Sequence, residues 1–160
     1  MPELAKKQFE LFRELVEAHS KTITRRAAVD RNRALYEAVA ATDRKPHLNE
    51  FLIKTMPTPT GDIEAIFINL GRNVDCNTLA DELAAVGLEL IVDPQGLVAI
   101  NKDDPAFADD HPNGTQWKDT EGRYCFMSFY RGGGRRRVRL GQDDRPWRDL
   151  WWFPCRRLYS

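Results

Sequence analysis

Apolar positions recur at intervals of three and four along the first quarter of the chain. Ala5, Phe9, Phe12, Val16, His19 and Ile23 form one stripe, and Ala28, Leu35, Tyr36 and Val39 a second. This is the spacing of one face of an amphipathic helix. Residues 3–45 contain neither Gly nor Pro. Ser20, Thr22 and Thr24 are cap formers and poor helix formers. The pattern therefore predicts either a helical hairpin broken near Ser20–Thr24 or one long helix. A single helix of that extent would reach about 60 Å at 1.5 Å per residue. Lys45-Pro46 ends the helical pattern.

The period changes beyond that point. Phe51-Leu52-Ile53 suits a short strand, and Met56-Pro57-Thr58-Pro59-Thr60-Gly61 suits a linker. Ile63 to Leu70 is a near-continuous apolar run, as expected of a strand covered on both sides. Leu79, Leu83 and Val86 mark a helix from about Thr78 to Val86, with Gly87 at its C-terminal cap. Leu88–Val92 and Leu97–Ile100 are predicted strands around a turn at Asp93-Pro94-Gln95-Gly96. Trp117, the aromatic run Tyr124–Tyr130 and the alternating Arg135–Leu140 predict a three-stranded meander over 115–140. Its second turn is Arg131-Gly132-Gly133-Gly134-Arg135. Pro146 is placed to open a short helix in the tail. The predicted fold class is α+β: an N-terminal helical hairpin or long helix, then a mostly antiparallel sheet with one packed helix. The expected domains are a helical region over 1–45 and an α+β domain over 61–160, with 46–60 as linker, or one unit containing all three.

Asn69-Leu70, Val74, Leu79, Leu83, Val86-Gly87 and the stretch from Gly96 to Pro105 fall at positions that loosely resemble half of an RNA recognition motif. The resemblance covers some 45 residues and is one of supersecondary geometry. It implies a strand–helix–strand unit with its next strand at Leu97–Ile100. That strand lacks the family's aromatic platform, because Leu97, Val98, Ala99 and Ile100 stand there. Tyr124, Phe126 and Phe129 resemble the aromatic spacing of the family's longer motif, although Gly122-Arg123 reverses its usual opening.

Composition narrows the function classes. The chain has 160 residues, 42% apolar and 30% charged, the range of ordinary globular domains. No run of about 18 apolar residues is present to cross a membrane. The first residues mix acids and bases and do not read as a signal peptide. Cys76, Cys125 and Cys155 are too few and too scattered for a disulfide framework or a zinc site, so a reducing, cytoplasmic location is expected. The net charge is zero, but it is divided. Residues 1–45 carry ten basic and seven acidic side chains, 46–120 four and thirteen, and 121–160 ten and four.

The most distinctive chemistry lies in the basic end. On a strand, Arg135, Arg137 and Arg139 point one way, and Arg136, Val138 and Leu140 the other. Same-face side chains are spaced roughly 6.5–7 Å apart, close to the separation of successive phosphates on one nucleic-acid strand. With Arg131 and Arg136 nearby, and Trp147, Trp151, Trp152 and Tyr124 available to stack, this end is the candidate surface for a nucleic acid or nucleoprotein complex. The same alternation also suits a solvated hairpin whose arginines pair with acids elsewhere. Two other readings remain open. A protein–protein assembly, adaptor or inhibitor component would act through residues 3–45, by self-association or a protein partner, and through the acidic middle. A small metal-dependent enzyme would use the loop bearing Asp103, Asp104, Asp109, Asp110 and His111. No phosphate-binding Gly-rich loop, Gly-x-Ser-x-Gly elbow or His pairing occurs, so the sequence nominates no catalytic residue, metal ligand or cofactor. Glu89, Asp93 and Lys102 faintly suggest a nuclease centre, but Ile100 stands where it needs an acid.

Overall fold

Ile63, Ala65 and Phe67 face one way along their strand and Ile66 and Ile68 the other, and the two sets enter different hydrophobic clusters. A strand apolar on both faces belongs inside a sheet covered on both sides. The computed structural model describes residues 3–8 and 21–159. Among these are six short helical segments and eight strands in one open sheet: β1 (Thr22–Ala27), β2 (Lys45–Leu48), β3 (Ile63–Asn69), β4 (Leu88–Leu90), β5 (Asn113–Lys118), β6 (Tyr124–Gly132), β7 (Arg135–Gln142) and β8 (Trp152–Arg157). Their order is β1-β3-β8-β5-β6-β7-β2, with β4 also paired to β8. Most pairs are antiparallel; β2–β7 and β5–β8 are parallel. No helix among the described residues is long and apolar enough to cross a membrane.

The larger cluster lies between one sheet face and the helices α1 (Leu35–Ala40), α3 (Pro94–Asp103) and α4 (Phe107–Asp110), joined by Leu52 from a 3-10 helix, Glu50–Thr55. Cys125, Met127 and Phe129 of β6 and Val138 and Leu140 of β7 point into it. The smaller cluster lies on the opposite face. There α2 (Leu79–Ala84) sends Leu79 and Leu83 against Ile68, Leu88 and Phe153, and Val74, Cys76 and Trp147 complete it. This cover protects β3, β8 and β4 and stops over β5 and β6. Where it stops, the sheet face is open.

Five sequence expectations are corrected. First, the helical hairpin or long helix is not confirmed among the described residues. Residues 9–20 of that reading lie outside the described residues, 3–8 form a short helix, and Thr22–Ala27 is strand β1. Thr22, Ile23 and Thr24 are β-branched and suit a pleated edge, and β3 offers a full antiparallel ladder from Thr22↔Ile68 to Ala27↔Ile63. Second, Leu97–Ile100 is helical, so the third strand implied by the resemblance to an RNA recognition motif does not form. Asp93 is an N-cap that accepts from Gly96 N at 2.9 Å, and Pro94 occupies the first turn. A short apolar run fits helix and strand equally, and the cap chemistry decides this one. Third, the 46–60 stretch expected to be a linker holds β2 and the 3-10 helix. Its Leu52 is buried, and its Thr55 hydroxyl accepts from Trp117 Nε1 at 2.9 Å. Finally, Phe51–Ile53 lies in that 3-10 helix and the tail after Pro146 forms strand β8, so neither takes its predicted form.

The divided charge is partly closed within the fold. Asp93, 4% exposed, takes both terminal nitrogens of Arg31 at 2.7 and 2.8 Å. Asp109 of the acidic middle is gripped by Arg136 of the basic end at 2.8 and 3.0 Å. That hydrogen bonding holds the Asp109 carboxyl below its usual range. Arg44, 4% exposed, lies over the Phe129 ring and donates to the Pro105 carbonyl at 2.9 Å. Burial, with Arg136 nearby, lowers its pKa to about 10.

Candidate nucleic-acid interface

The β6–β7 hairpin sets the geometry of the open face. Gly133 and Gly134 both adopt positive φ, +61° and +74°, the requirement of a two-residue hairpin turn whose twist matches its strands. That turn fixes the register from Gly132↔Arg135 to Cys125↔Gln142. Ser128 therefore stands opposite Arg139, and Tyr130 opposite Arg137. Since Cys125, Met127 and Phe129 are in the core, Tyr124, Phe126, Ser128 and Tyr130 share the outer face with Arg135, Arg137 and Arg139. Three residues of β5 join the same face: Gly114, Gln116 and Lys118 lie opposite Ser128, Phe126 and Tyr124.

The segment 143–151 folds over one side of this face and makes a groove of about 550 Å³. Trp147 anchors it. Its backbone exchanges two hydrogen bonds with Val74, both 2.8 Å. Its indole donates to Gln116 Oε1 at 2.8 Å, and Gln116 Nε2 donates to the Cys76 carbonyl at 2.9 Å. The ring lies directly on Gly114, where a β-carbon would come within 2.7 Å of Trp147 Cη2. Only glycine allows an indole this close to the strand. Trp151 then packs edge-to-face on Trp147, with centroids 5.2 Å apart, and on Tyr130 at 6.1 Å. Asn69 pins the segment's end by donating to the Asp149 and Trp151 carbonyls at 2.7 and 3.0 Å.

The groove is aromatic with a cationic edge. Tyr124, Phe126, Tyr130 and Trp151 are half-buried and line it together with Arg139, Arg145 and Arg148. Asp143 is the acid in the lining. Arg145 holds it by a side-chain bond of 2.6 Å, which lowers the Asp143 carboxyl below its usual range. Arg139 lies over the Phe126 ring, 5.2 Å from its centroid. Its guanidinium makes no hydrogen bond or ion pair among the described residues, and its Nε is buried without an acceptor.

The nine residues nominated from sequence are therefore divided; of the added stacking candidates, Tyr124 lines the groove and Trp152 packs against the larger cluster on the other face. Arg135, Arg137 and Arg139 line up on the open face, and Arg137 Nε also donates to the Gly132 carbonyl at 2.8 Å. Trp151 is at the groove. Trp147 is there too, but it is 7% exposed and its N–H is already used, so it builds the wall and offers little surface for stacking. Arg131 and Arg136 project to the other side, where both approach Asp109, at 3.8 and 2.8 Å. The sequence reading missed Phe126, Tyr130, Arg145 and Arg148. For Phe126 and Tyr130 the signal was present: the alternation that aligns the arginines also places these rings beside them. The acidic loop disperses its charge, with Asp104 near Arg25 at 3.5 Å and Asp109 on Arg136. Among the described residues, no cluster of three or more His, Cys, Asp or Glu side chains is arranged to hold a metal ion. Comparison with family models, with curated proteins and with solved structures finds no match for this chain.

Proposed function

We propose that this chain is a non-enzymatic binding protein that engages nucleic acid through the outer face of β6 and β7, beside the 143–151 segment that covers β5. The observation that carries the reading is the coincidence of two kinds of group on one surface. Four half-buried aromatic rings share this surface with Arg139 and Arg148, and Arg135 lies on the same face further along β7; none of the three guanidinium groups makes an ion pair among the described residues, although Arg139 feels the nearby Asp143 charge. Several arginines elsewhere in the fold are matched to acids, Arg31 to Asp93, Arg72 to Glu82 and Arg136 to Asp109 among them, although Arg33, Arg156 and Arg157 also make no ion pair among the described residues. Aromatic rings beside unmatched cations provide the two contributions that hold single strands: stacking on base faces and neutralisation of phosphates. Phosphate contacts position a strand without reading its sequence, so weak sequence preference follows.

The test is binding of nuclease-treated protein to labelled single-stranded RNA, single-stranded DNA and duplex DNA at 50 and 200 mM salt. Three to four phosphate contacts on a single strand give a salt slope of about −2 to −3, hence a loss of roughly 15- to 60-fold over that fourfold change. Single strands are expected to bind more tightly than duplex. An absence of binding at 50 mM salt, or binding insensitive to salt, contradicts the proposal. Salt-insensitive self-association would favour the protein-assembly alternative instead.

A further inference from the structure

We infer that the groove receives one unpaired nucleotide, its base over Ser128 between Phe126, Tyr130 and Trp151 and its phosphate against Arg139 and Arg148. This rests on the nucleic-acid reading above and names the unit recognised. Three features of the groove lead to it.

Size and depth come first. A volume of about 550 Å³ falls within the usual range of small-molecule sites, about 300–1,000 Å³. It accommodates a single nucleotide. The rings are half-buried in a groove walled by the 143–151 segment, so a base within a duplex stack cannot meet their faces. A base that has left its stack, or was never in one, can.

The second feature is which polar groups are already committed. Trp147 Nε1 and the Gln116 amide bond each other and the Cys76 carbonyl, and Asp143 is held by Arg145. These groups frame the groove and leave few internal partners wanting. Arg139 is the exception. Its guanidinium lies over Phe126, its Nε has no acceptor, and no carboxylate lies within ion-pairing distance among the described residues. A buried donor without an acceptor is costly, and a phosphate oxygen meeting the same guanidinium supplies the direct contact that Asp143, held by Arg145, does not make.

The third feature is the arrangement of charge around the rings. Arg139 stands on one side of the groove and Arg148 rises from the segment that walls it, with the aromatic surface between them. A ligand matching that pattern is flat and apolar in one part and anionic in another, which describes a nucleotide better than a nucleoside or inorganic phosphate alone.

The experiment is competition. A fluorescein-labelled single-stranded RNA octamer is bound to the full chain at 50 mM salt. The four nucleoside 5′-monophosphates, the corresponding nucleosides and inorganic phosphate are then titrated in separately. Monophosphates are expected to displace the octamer in the millimolar range, at least tenfold more effectively than nucleosides or phosphate. Arg139→Met and Tyr130→Ser are each expected to weaken monophosphate binding fivefold or more. Both variants are first checked for an unfolding temperature close to the parent's, and whichever folds serves as the test. If the octamer binds but monophosphates do not compete, or the folded variants bind them unchanged, the single-nucleotide inference is overturned while the broader reading stands. If the octamer itself does not bind, both fail.

Discussion

With Arg135, Arg137 and Arg139 all changed to Glu, single-stranded RNA and DNA are expected to bind on the order of a hundredfold more weakly at low salt. The estimate assumes about 1 kcal/mol lost for each charge-assisted phosphate contact, and every 1.4 kcal/mol is about tenfold in affinity. The slope of log affinity against log salt should also become shallower by about 2, because three fewer phosphates are neutralised. The fold should survive the change. The Arg135 and Arg139 side chains make no hydrogen bond or ion pair among the described residues, and the Arg137 side chain makes one, to the Gly132 carbonyl. The unfolding temperature is expected to fall by no more than about 5 °C. Reversal of Arg136 to Glu serves as the contrast. Its guanidinium is on the far face, bound to Asp109, so it should affect stability more than binding. Equal loss of binding from Arg136 and from the three open-face arginines would show that the two faces are not distinguished by the ligand.

The largest effect on stability is expected from Asp93→Ala. Its carboxylate performs two tasks. It caps α3 through the Gly96 N–H at 2.9 Å, and it forms a two-point pair with Arg31 at 2.7 and 2.8 Å. Loss of a cap costs about 1 kcal/mol, and removal of one partner from a buried ion pair costs about 3–5 kcal/mol because the other charge is left uncompensated. Arg31 retains some contact with water, its side chain being 18% exposed, so the lower end applies and the sum is about 4 kcal/mol. At 2–4 °C per kcal/mol for a chain of this size, thermal unfolding should shift down by roughly 8–16 °C. Asp93→Asn keeps an acceptor for the cap and loses the charge, so it should retain part of the stability. Calorimetry of the two variants separates the contributions. A shift below about 3 °C for Asp93→Ala would mean that Arg31 finds another partner and that the pair does not anchor the turn after β1 to α3.

What could be read from the sequence was local and periodic. The β5–β6–β7 meander was legible because alternation and a triglycine turn specify it within 30 residues, and the facing of Arg135, Arg137 and Arg139 follows from the same period of two. Strand β3 and helix α2 were legible for the same reason, although the helix ends at Ala84 with Ala85 as its cap, two residues before the expected Gly87. The errors arose where two periods fit one segment. Leu97–Ile100 is apolar at four consecutive positions, and the decision lies in Asp93 and Pro94, which suit a helix start as well as a turn. Ile23 continues a helical stripe on paper, yet it pairs with Phe67 as part of an edge strand. The groove itself was not legible. It exists because Trp147, 33 residues after Gly114 in the chain, rests on that glycine and bridges to Val74, a meeting that no local pattern announces. Nor did the sequence show that Arg136 would be neutralised by Asp109 while Arg139 would not. Three consecutive arginines look alike until the opposite face acquires a helix carrying an acid.

The location of the ligand on this face is tested by photo-crosslinking. A single-stranded RNA containing 4-thiouridine would be bound at low salt and irradiated, and the attached peptides mapped by mass spectrometry. The account predicts adducts on Tyr124, Phe126, Tyr130 or Trp151, reduced in the Arg135, Arg137 and Arg139 triple variant. A saturated complex whose adducts fall only on the helix-covered face, around α1, α3 and Asp109, would contradict it.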